Sequence, residues 1–239
     1  MASTTIASAA PLRLAAWQPA SMLDWPGRIA VTVFVRGCPF RCAYCHNPDL
    51  LAPGAQTDCA ALLEHLQRRA GWIDGVAITG GEPTSDPALV PFLRALRELG
   101  LPAKLDTNGG RPDVLERLLD EQLVDMVAMD VKTVPERYDA LTGVPGSARA
   151  VIASVKLVIG SGVPHEFRTT AWPGALTLDD FPRIAASLDG GQRYVIQQFR
   201  AERTLDPAAA AVLPFKSDAL HEAARACSPY VPTIVRGAA

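Results

Sequence analysis

The sequence predicts an α/β fold with a parallel sheet that is closed or partly closed into a barrel, and three observations support this prediction. Six short apolar segments rich in β-branched residues have the composition of strands. Segments with helical spacing lie between them. Strands that are apolar on both faces and alternate with helices are typical of parallel sheets. A chain of 239 residues with 49% apolar residues can bury one continuous core.

The predicted strands and helices alternate along the chain. The strands are residues 29–35, 75–79, 103–107, 127–131, 166–170 and 194–198. The helices between them are residues 59–69, 87–99, 113–121, 148–159 and 178–188. Several helices end at a glycine, as at Gly71 and Gly100, which is a common helix stop.

The sequence contains no repeat or linker that would separate two domains, so we expect a single domain. Residues 1–19 are expected to form a flexible N-terminal tail, residues 20–206 the barrel, and residues 207–239 a C-terminal extension that packs on the barrel. The extension is rich in Ala and Pro and is predicted to end in a helix at residues 217–227.

Charge and hydropathy exclude several classes of protein. Lys and Arg number 23 against 25 Asp and Glu, and a net charge of −2 provides no basic surface for a phosphate backbone. No apolar run reaches the length of a membrane helix, and the N-terminus lacks the basic start of a signal peptide. We therefore expect a soluble, cytoplasmic protein that binds neither nucleic acid nor a membrane.

Polar residues of unusual type follow the predicted strands. They are Gly80, Gly81 and Glu82 after the second strand, Asp106, Thr107 and Asn108 after the third, Asp130 and Lys132 at the fourth, and Arg168 in the fifth. Each taken singly is better explained as a turn, a loop that leads to a helix, or a solvated strand end. Because the carboxyl ends of parallel strands share one edge and carry chemistry there, their common placement indicates a functional site.

Three of the five cysteines lie within eight residues, in a CxxxCxxC loop after the first predicted strand. Cys38, Cys42 and Cys45 are too crowded for an ordinary disulfide framework and indicate a metal site in a reducing compartment. One interpretation is zinc with His46 as fourth ligand, but His46 directly follows Cys45, which makes a strain-free tetrahedron difficult. The spacing favours three thiolates on a 4Fe–4S cluster, with one iron open to a substrate or cofactor.

The same loop carries a family resemblance. The CxxxCxxC motif has Tyr44 before its last cysteine and is followed by Gly-Gly-Glu-Pro at residues 80–83, a combination that resembles the radical S-adenosylmethionine (SAM) superfamily. The resemblance implies a partial (β/α)6 barrel of the TIM type. It also implies a 4Fe–4S cluster whose open iron is chelated by SAM, and reductive cleavage of SAM to methionine and a 5'-deoxyadenosyl radical.

Further motifs resemble one branch of that superfamily, the activating proteins of glycyl-radical enzymes. They are DWPG at residues 24–27, CHNP at 45–48, LDTNG at 105–109, MDVK at 129–132, RTT at 168–170 and PG at 173–174. The set is most similar to the activating proteins of anaerobic ribonucleoside-triphosphate reductase. This resemblance implies abstraction of a glycine Cα hydrogen from a partner glycyl-radical enzyme, with that reductase as the expected partner and an electron donor such as flavodoxin or ferredoxin.

The resemblance also implies roles for the site residues, with the three motif cysteines as the catalytic, cluster-binding residues. The expected cofactor-binding residues are Tyr44, His46, Gly80, Gly81, Glu82, Asp106, Asp130, Val131, Lys132 and Arg168. Gly81 lacks a Cβ and so admits the methionine portion of SAM, and Glu82 accepts a bond from its amino group. Lys132 supplies a charge-assisted bond, while Arg168 holds either the carboxylate of SAM or the backbone of the partner.

Asp106 and Asp130 are expected to face one cavity, since they end neighbouring predicted strands. Two such carboxylates need a cation or a proton to relieve their repulsion. The resemblance favours a monovalent cation beside the carboxylate of SAM, and a paired acid–base role is the alternative.

Two features depart from the family pattern. Related pyruvate formate-lyase activators carry a histidine near the end of the sixth strand, where this sequence has Arg200. Many activators also contain a ferredoxin-like insertion with more cysteines, whereas only Cys59 and Cys227 remain here, and both are expected to be ordinary apolar residues.

Two other functions compete with the activating role. One is a radical SAM enzyme that acts on a small molecule or a nucleotide, and the other is a zinc-stabilised binding module. The short chain without cysteines for an auxiliary cluster favours a macromolecular substrate over a small one.

Overall fold

A computed structural model describes residues 12–52 and 54–238 of the protein. The strands are β1 (Leu14–Ser21), β2 (Ala30–Val35), β3 (Gly75–Gly80), β4 (Ala103–Thr107), β5 (Met126–Asp130), β6 (His165–Ala171), β7 (Tyr194–Gln198) and β8 (Thr233–Arg236). The helices are α1 (Cys59–Arg69), α2 (Leu89–Glu98), α3 (Pro112–Asp120), α4 (Pro135–Thr142), α5 (Ser147–Ser161), α6 (Asp180–Ser187), α7 (Pro207–Ala210) and α8 (Ser217–Cys227). Within the described residues, β1 to β8 follow one another in chain order in one sheet.

The chain divides into two compact units. The first unit contains the described chain up to Cys38, together with Asp49–Thr107 and Asp113–Val127. The second unit contains Pro39–Pro48, Asn108–Pro112 and the described chain from Ala128 onward.

Strands β1 to β4 belong to the first unit. β1 runs antiparallel to β2, with Trp17 opposite Val33, and β2, β3 and β4 run parallel. The β-branched residues of β2 are buried on both faces of the sheet, as expected for a strand covered by helices. The side chain of Asp58 caps the first turn of α1, which buries Leu62 and Leu66.

Strands β6, β7 and β8 belong to the second unit and run parallel. Phe167 of β6 lies beside Tyr194 of β7, which lies beside Thr233 of β8. α8 packs against α6 and β8 and buries Leu220 and Cys227. The C-terminal extension therefore continues the sheet by one strand and covers it with one helix.

The predicted elements agree closely with the structure. The predicted strands are β2 to β7, with boundaries that shift by at most one residue, and the predicted helices shift by at most two residues. These elements follow local apolar patterns, which can be recognised in the sequence without knowing how the segments pack.

The structure corrects the N-terminal boundary. Residues 14–21 form β1, although the sequence predicts a flexible tail up to residue 19; residues 1–11 of that tail lie outside the described residues. Only Leu14 and Ser21 of β1 are buried, and Pro19 interrupts it, so its sequence lacks a strand signal. The pairing with β2 holds it in place.

α4, α7 and β8 are also absent from the predicted elements. α7 and β8 have four residues each, too few to show a period, and α4 has no strongly apolar face. In residues 12–52 and 54–238 no single helix has the length and hydropathy to cross a membrane, while α4 and α5 reach that length and hydropathy together but bend by 117° at the break between them.

Candidate active site

Gly37 fixes the start of the cysteine loop. Its φ of +89° lies in the left-handed region that favours glycine. The N–H of Gly37 donates to the carbonyl of Leu50 at 2.6 Å, and the carbonyl of Gly37 accepts from the N–H of Glu82 at 2.7 Å. Both polar backbone groups are therefore bonded at the residue that precedes Cys38.

Gly80 and Gly81 pack directly on the backbone at the end of β2. A Cβ on Gly80 would lie 2.4 Å from the carbonyl oxygen of Val35, and a Cβ on Gly81 would lie 2.3 Å from the carbonyl oxygen of Gly37. Both distances are far below van der Waals contact, so a close backbone approach requires glycine here. The role of Gly81 toward the methionine portion of SAM stays a prediction, and the structure adds a packing reason for the same residue.

The buried carboxylate of Glu82 ties the loop after β3 to the end of β4. Its Oε1 accepts from the N–H of Thr84 at 3.0 Å, from the hydroxyl of Thr84 at 2.5 Å and from the hydroxyl of Thr107 at 2.7 Å. Thr84 is missing from the predicted site residues, although a threonine two positions after a capping carboxylate is a local signal. The bond from Glu82 to the amino group of SAM stays a prediction.

Asp106 has a cationic partner on its own strand. Lys104 and Asp106 lie two residues apart on β4, on the same face, and their side chains form an ion pair. Lys104 is buried, so its charge requires this partner. Since an ammonium already relieves the charge of Asp106, repulsion between carboxylates no longer argues for a cation, and the monovalent-cation site rests on the resemblance.

In the second unit, Asp130 joins two cationic side chains. Nε of Arg168 donates to one carboxylate oxygen of Asp130 at 2.8 Å, and Nζ of Lys132 lies 3.3 Å from the other. Burial opposes ionisation of Asp130, but Arg168 and Lys132 outweigh it and lower the pKa of this carboxyl. Burial also opposes the charge of Lys132, whose pKa is nevertheless raised well above its ordinary value, chiefly by Asp130. The three predicted residues are thus brought together as a charged cluster.

The backbone that follows β5 is held by side chains outside the set of predicted site residues. The hydroxyl of Thr169 donates to the carbonyl of Val131 at 2.6 Å, and the hydroxyl of Tyr194 donates to that of Thr169 at 2.8 Å. The N–H of Lys132 donates to the hydroxyl of Tyr138 at 3.0 Å. The contacts of Thr169 join residues 25 and 38 positions apart in sequence, a pairing that only the fold brings about.

Cys42 and Tyr44 are buried beside the charged cluster. The N–H of Cys45 donates to the carbonyl of Cys42 at 3.0 Å, which closes a turn between the last two cysteines. The Tyr44 ring lies 5.3 Å from that of Trp172, and its buried hydroxyl has no hydrogen-bond partner among the described residues. Buried polar side-chain atoms nearly always have a hydrogen-bond partner, so this hydroxyl needs an explanation, and a polar group bound nearby would supply one.

The free Cys42 thiol is protonated at neutral pH, and one neighbouring cation favours the thiolate. Burial raises the pKa of Cys42, and the Lys132 ammonium acts in the opposite direction, toward the thiolate that binds metals. No disulfide joins any of the five cysteines, all of which lie in the described part of the chain. Across residues 12–52 and 54–238, no group of three His, Cys, Asp or Glu side chains is arranged to hold a metal ion, and the cluster-binding role of the three motif cysteines stays a prediction.

His46 lies beside Phe199, with ring centroids 5.9 Å apart. Burial lowers the pKa of His46, and Arg200 adds to this effect while Glu202 opposes it. The imidazole is therefore largely neutral at pH 7 and offers a flat face, and its cofactor-binding role stays a prediction. Arg200, at the position where related activators carry a histidine, is exposed.

Comparison with known proteins identifies a family. The sequence model of the Radical SAM superfamily matches residues 32–188, a range that includes every predicted site residue.

Two relatives carry names that concern glycyl-radical enzymes. A protein of Methanocaldococcus jannaschii named as a glycyl-radical enzyme activating enzyme is 28% identical over 90% of this chain and 91% of its own length. The pyruvate formate-lyase-activating enzyme of Clostridium pasteurianum is 35% identical over 51% of this chain and 53% of its own. The chain thus spans nearly all of the archaeal relative and about half of the clostridial one.

A solved structure supports the fold. SuiB of Streptococcus suis, bound to S-adenosylmethionine, aligns with a TM-score of 0.64 and 15% identity over 84% of this chain and 48% of its own. This likeness confirms the predicted fold class, a partial TIM-type barrel of the radical SAM kind.

Proposed function

Since the chain belongs to the radical SAM superfamily, we propose that it is an activating enzyme that installs a glycyl radical on a partner enzyme. Membership makes the protein a radical SAM oxidoreductase with a 4Fe–4S cluster and SAM as its cofactors. The observation that carries the activating role is the similarity to a named activating enzyme over 90% of this chain and 91% of that relative.

The predicted site residues have roles in this proposal. Cys38, Cys42 and Cys45 hold the cluster as thiolates. Lys132 and Arg168, both charged and already oriented by Asp130, bind the carboxylate of SAM through charge-assisted bonds. When bound, the cluster would supply an electron to SAM, and SAM would supply the carbon-centred radical that removes a hydrogen atom from the substrate.

The remaining side chains orient the cofactor and exclude water. Tyr44 and His46 present aromatic faces to the adenine, and each is backed by another ring, Trp172 or Phe199. Glu82 accepts from the amino group of SAM with an oxygen that the loop after β3 holds in place. Val131 lines the same cofactor.

A glycine of another protein is the proposed hydrogen donor. The radical formed at a glycine Cα is delocalised over two flanking amides, and a residue without Cβ can pass close to the 5' carbon. We propose anaerobic ribonucleoside-triphosphate reductase as the partner because the LDTNG, MDVK and RTT motifs resemble its activating proteins. Flavodoxin or ferredoxin is the proposed electron donor, in a cytoplasmic reaction.

Pyruvate formate-lyase is the competing partner, because a 35% identical relative is named for activating that enzyme. The two partners are distinguished by direct assay. The reconstituted, reduced protein is mixed with SAM and each partner in turn, and electron paramagnetic resonance (EPR) should show a glycyl-radical doublet with the reductase. Exposure to oxygen should then cut the reductase at the radical glycine.

Two variants control this experiment. Cys42→Ala should lose the cluster and the doublet, whereas Cys227→Ala, at a buried cysteine of α8, should keep both. A doublet with pyruvate formate-lyase alone would reassign the partner. Turnover of a small molecule with no doublet in any glycyl-radical protein would replace the activating role by the small-molecule alternative.

A further inference from the structure

Arg13 links three parts of the first unit, although it lies in the predicted N-terminal tail. Its backbone carbonyl accepts from the N–H of Arg36, just after β2, at 2.7 Å. Its backbone N–H donates to Oδ2 of Asp86 at 2.7 Å, and its Nε donates to the same oxygen at 3.2 Å. Its Nη2 donates to the carbonyl of Ser85 at 2.7 Å. The guanidinium thus binds two acceptors in the loop after β3, Oδ2 of Asp86 and the carbonyl of Ser85.

The other side of the guanidinium lies against Gly37. A Cβ built on Gly37 would be 3.1 Å from Nη1 of Arg13. Asp86 is nearly inaccessible, with 1% of its side chain exposed, and its second oxygen accepts from the N–H of Ala88, just before α2, at 2.9 Å. The buried carboxylate of Asp86 accepts from both Ala88 and Arg13 and so holds Arg13 in place. Arg13 in turn limits the space around Gly37.

We propose that Arg13 is a positioning residue for the cysteine loop. It binds the loop after β3 and packs against Gly37, and so fixes the direction in which the chain leaves β2 toward Cys38. The inference rests on the proposed function only in taking Cys38 as a cluster ligand. Arginine suits this place because its planar fork binds two acceptors in a fixed geometry, whereas a lysine ammonium is a flexible point charge. Arg13 thus contacts the same residue, Gly37, whose carbonyl oxygen Gly81 approaches closely.

The test uses Arg13→Ala, Arg13→Lys and, as a matched control, Arg68→Ala, which removes an exposed ion pair on α1 of the same unit. In the protein without cofactors, Arg13→Ala should make the Gly37 and Glu82 amides exchange with solvent about tenfold faster or more, since both N–H groups are bonded at this junction. The Lys variant should fall between Ala and wild type, and the control should match wild type.

With cofactors, the same variants are compared by EPR of the reduced cluster and by SAM cleavage. A displaced Cys38 should lower kcat about tenfold or more and leave KM for SAM within about twofold, because misplacement of reacting groups costs rate more than binding. The EPR change on adding SAM should also differ between Arg13→Ala and wild type. Arg68→Ala should leave all of these readouts unchanged.

The proposal is overturned if Arg13→Ala melts at a lower temperature but keeps the wild-type exchange, EPR spectrum and kcat, since Arg13 would then only stabilise the fold. If Arg13→Ala does not fold, Asp86→Asn replaces it, because Asn keeps an oxygen for the N–H of Ala88 and removes the charge that holds Arg13. Wild-type exchange in that variant would also overturn the proposal. Failure of wild-type protein to cleave SAM would contradict the proposed function instead, while the exchange experiment would still test the clamp.

Discussion

Asp130 has a lowered pKa because of its two cationic neighbours. Burial raises the pKa of this carboxyl, but Arg168 and Lys132 lower it more strongly, so that it lies below the ordinary value of 3.8. The carboxylate in turn raises the pKa of Lys132 and binds both cations. At the scale of single residues, the proposed cofactor-binding cluster is therefore a mutually dependent set of three charges.

Asp130→Ala should weaken SAM binding without loss of iron. Lys132 and Arg168 would lose the group that orients them, so KM for SAM should rise about tenfold or more, as expected when positioned charges are released. Iron and sulfide per chain should equal the wild-type values, because Asp130 is not a thiol ligand. Iron analysis and the rate of 5'-deoxyadenosine formation measure the two effects.

Asp189→Ala, at an exposed aspartate after α6, serves as the matched control and should leave KM unchanged. Normal binding and cleavage by the Asp130→Ala variant would show that Asp130 does not lie at the carboxylate of SAM.

His165 gives the protein a pH-dependent stability away from the site. Its Nδ1 lies 2.8 Å from the carbonyl of Val163, to which it donates, and its Nε2 accepts from the N–H of Gln192 at 3.1 Å. Burial lowers the pKa of His165, so the folded protein binds a proton there less readily than the unfolded chain. Stability from this residue is therefore complete above the unfolded value of 6.5 and decreases as the pH falls below it.

His165→Gln should reduce the loss of unfolding free energy between about pH 7.5 and pH 5.5. Urea unfolding at the two pH values measures this difference. His221→Gln, at an exposed histidine, should retain the wild-type difference. An unaltered pH dependence in His165→Gln would mean that His165 titrates alike in the folded and unfolded chain.

At the scale of elements, α4 serves the site by supporting the turn after β5. Tyr138 is buried, and its hydroxyl accepts from the N–H of Lys132, while Thr169 of β6 holds the carbonyl of Val131. Burial is the main cause that raises the pKa of Tyr138, which therefore stays protonated at neutral pH. A neutral, fixed hydroxyl keeps the Lys132 backbone in one position.

Tyr138→Phe should leave the N–H of Lys132 without its partner and make the turn after β5 mobile. The lost bond corresponds to about 1–2 kcal/mol of unfolding free energy, and KM for SAM should rise a few-fold while the iron content is unchanged. Tyr230→Phe, at a partly exposed tyrosine, is the control for loss of a hydroxyl. Equal KM values for the two variants would assign Tyr138 to packing alone.

At the scale of the whole molecule, the C-terminal extension is part of the fold. Arg236 of β8 binds both carboxylate oxygens of Glu166 of β6, at 3.1 and 3.0 Å. Glu166 is 2% exposed, whereas Arg236 is 39% exposed. A buried carboxylate on one strand therefore depends on a residue 70 positions later in the chain.

Arg236→Ala should destabilise the folded protein by about 2–3 kcal/mol, because it leaves Glu166 buried and unpaired; the value is discounted from that of a fully buried pair for the exposure of Arg236. Urea unfolding measures the change. Arg68→Ala, which breaks an ion pair exposed at both ends, should change the free energy by less than about 0.5 kcal/mol. Similar effects in the two variants would show that the Glu166 pair contributes no more than a surface pair.

The sequence by itself determined the strands β2 to β7, the helices between them, the cysteine motif and the polar residues at the strand ends. These features depend on local patterns, since an apolar run or a CxxxCxxC spacing has the same meaning wherever the segment packs. The Gly-Gly-Glu-Pro motif and the MDVK motif are also local patterns, so the sequence alone predicted their residues as candidate site residues.

Only the tertiary structure decided which side chains hold those motifs in place. β1 and β8 exist through pairing with β2 and β7, and Arg13, Thr107, Thr169 and Tyr138 act on partners that other elements bring to them. The same structure showed that Lys104 relieves the charge of Asp106, a pairing that the expected cation site did not consider. Hydrogen bonds and ion pairs between distant residues depend on distances that the fold sets, and a single sequence does not contain those distances.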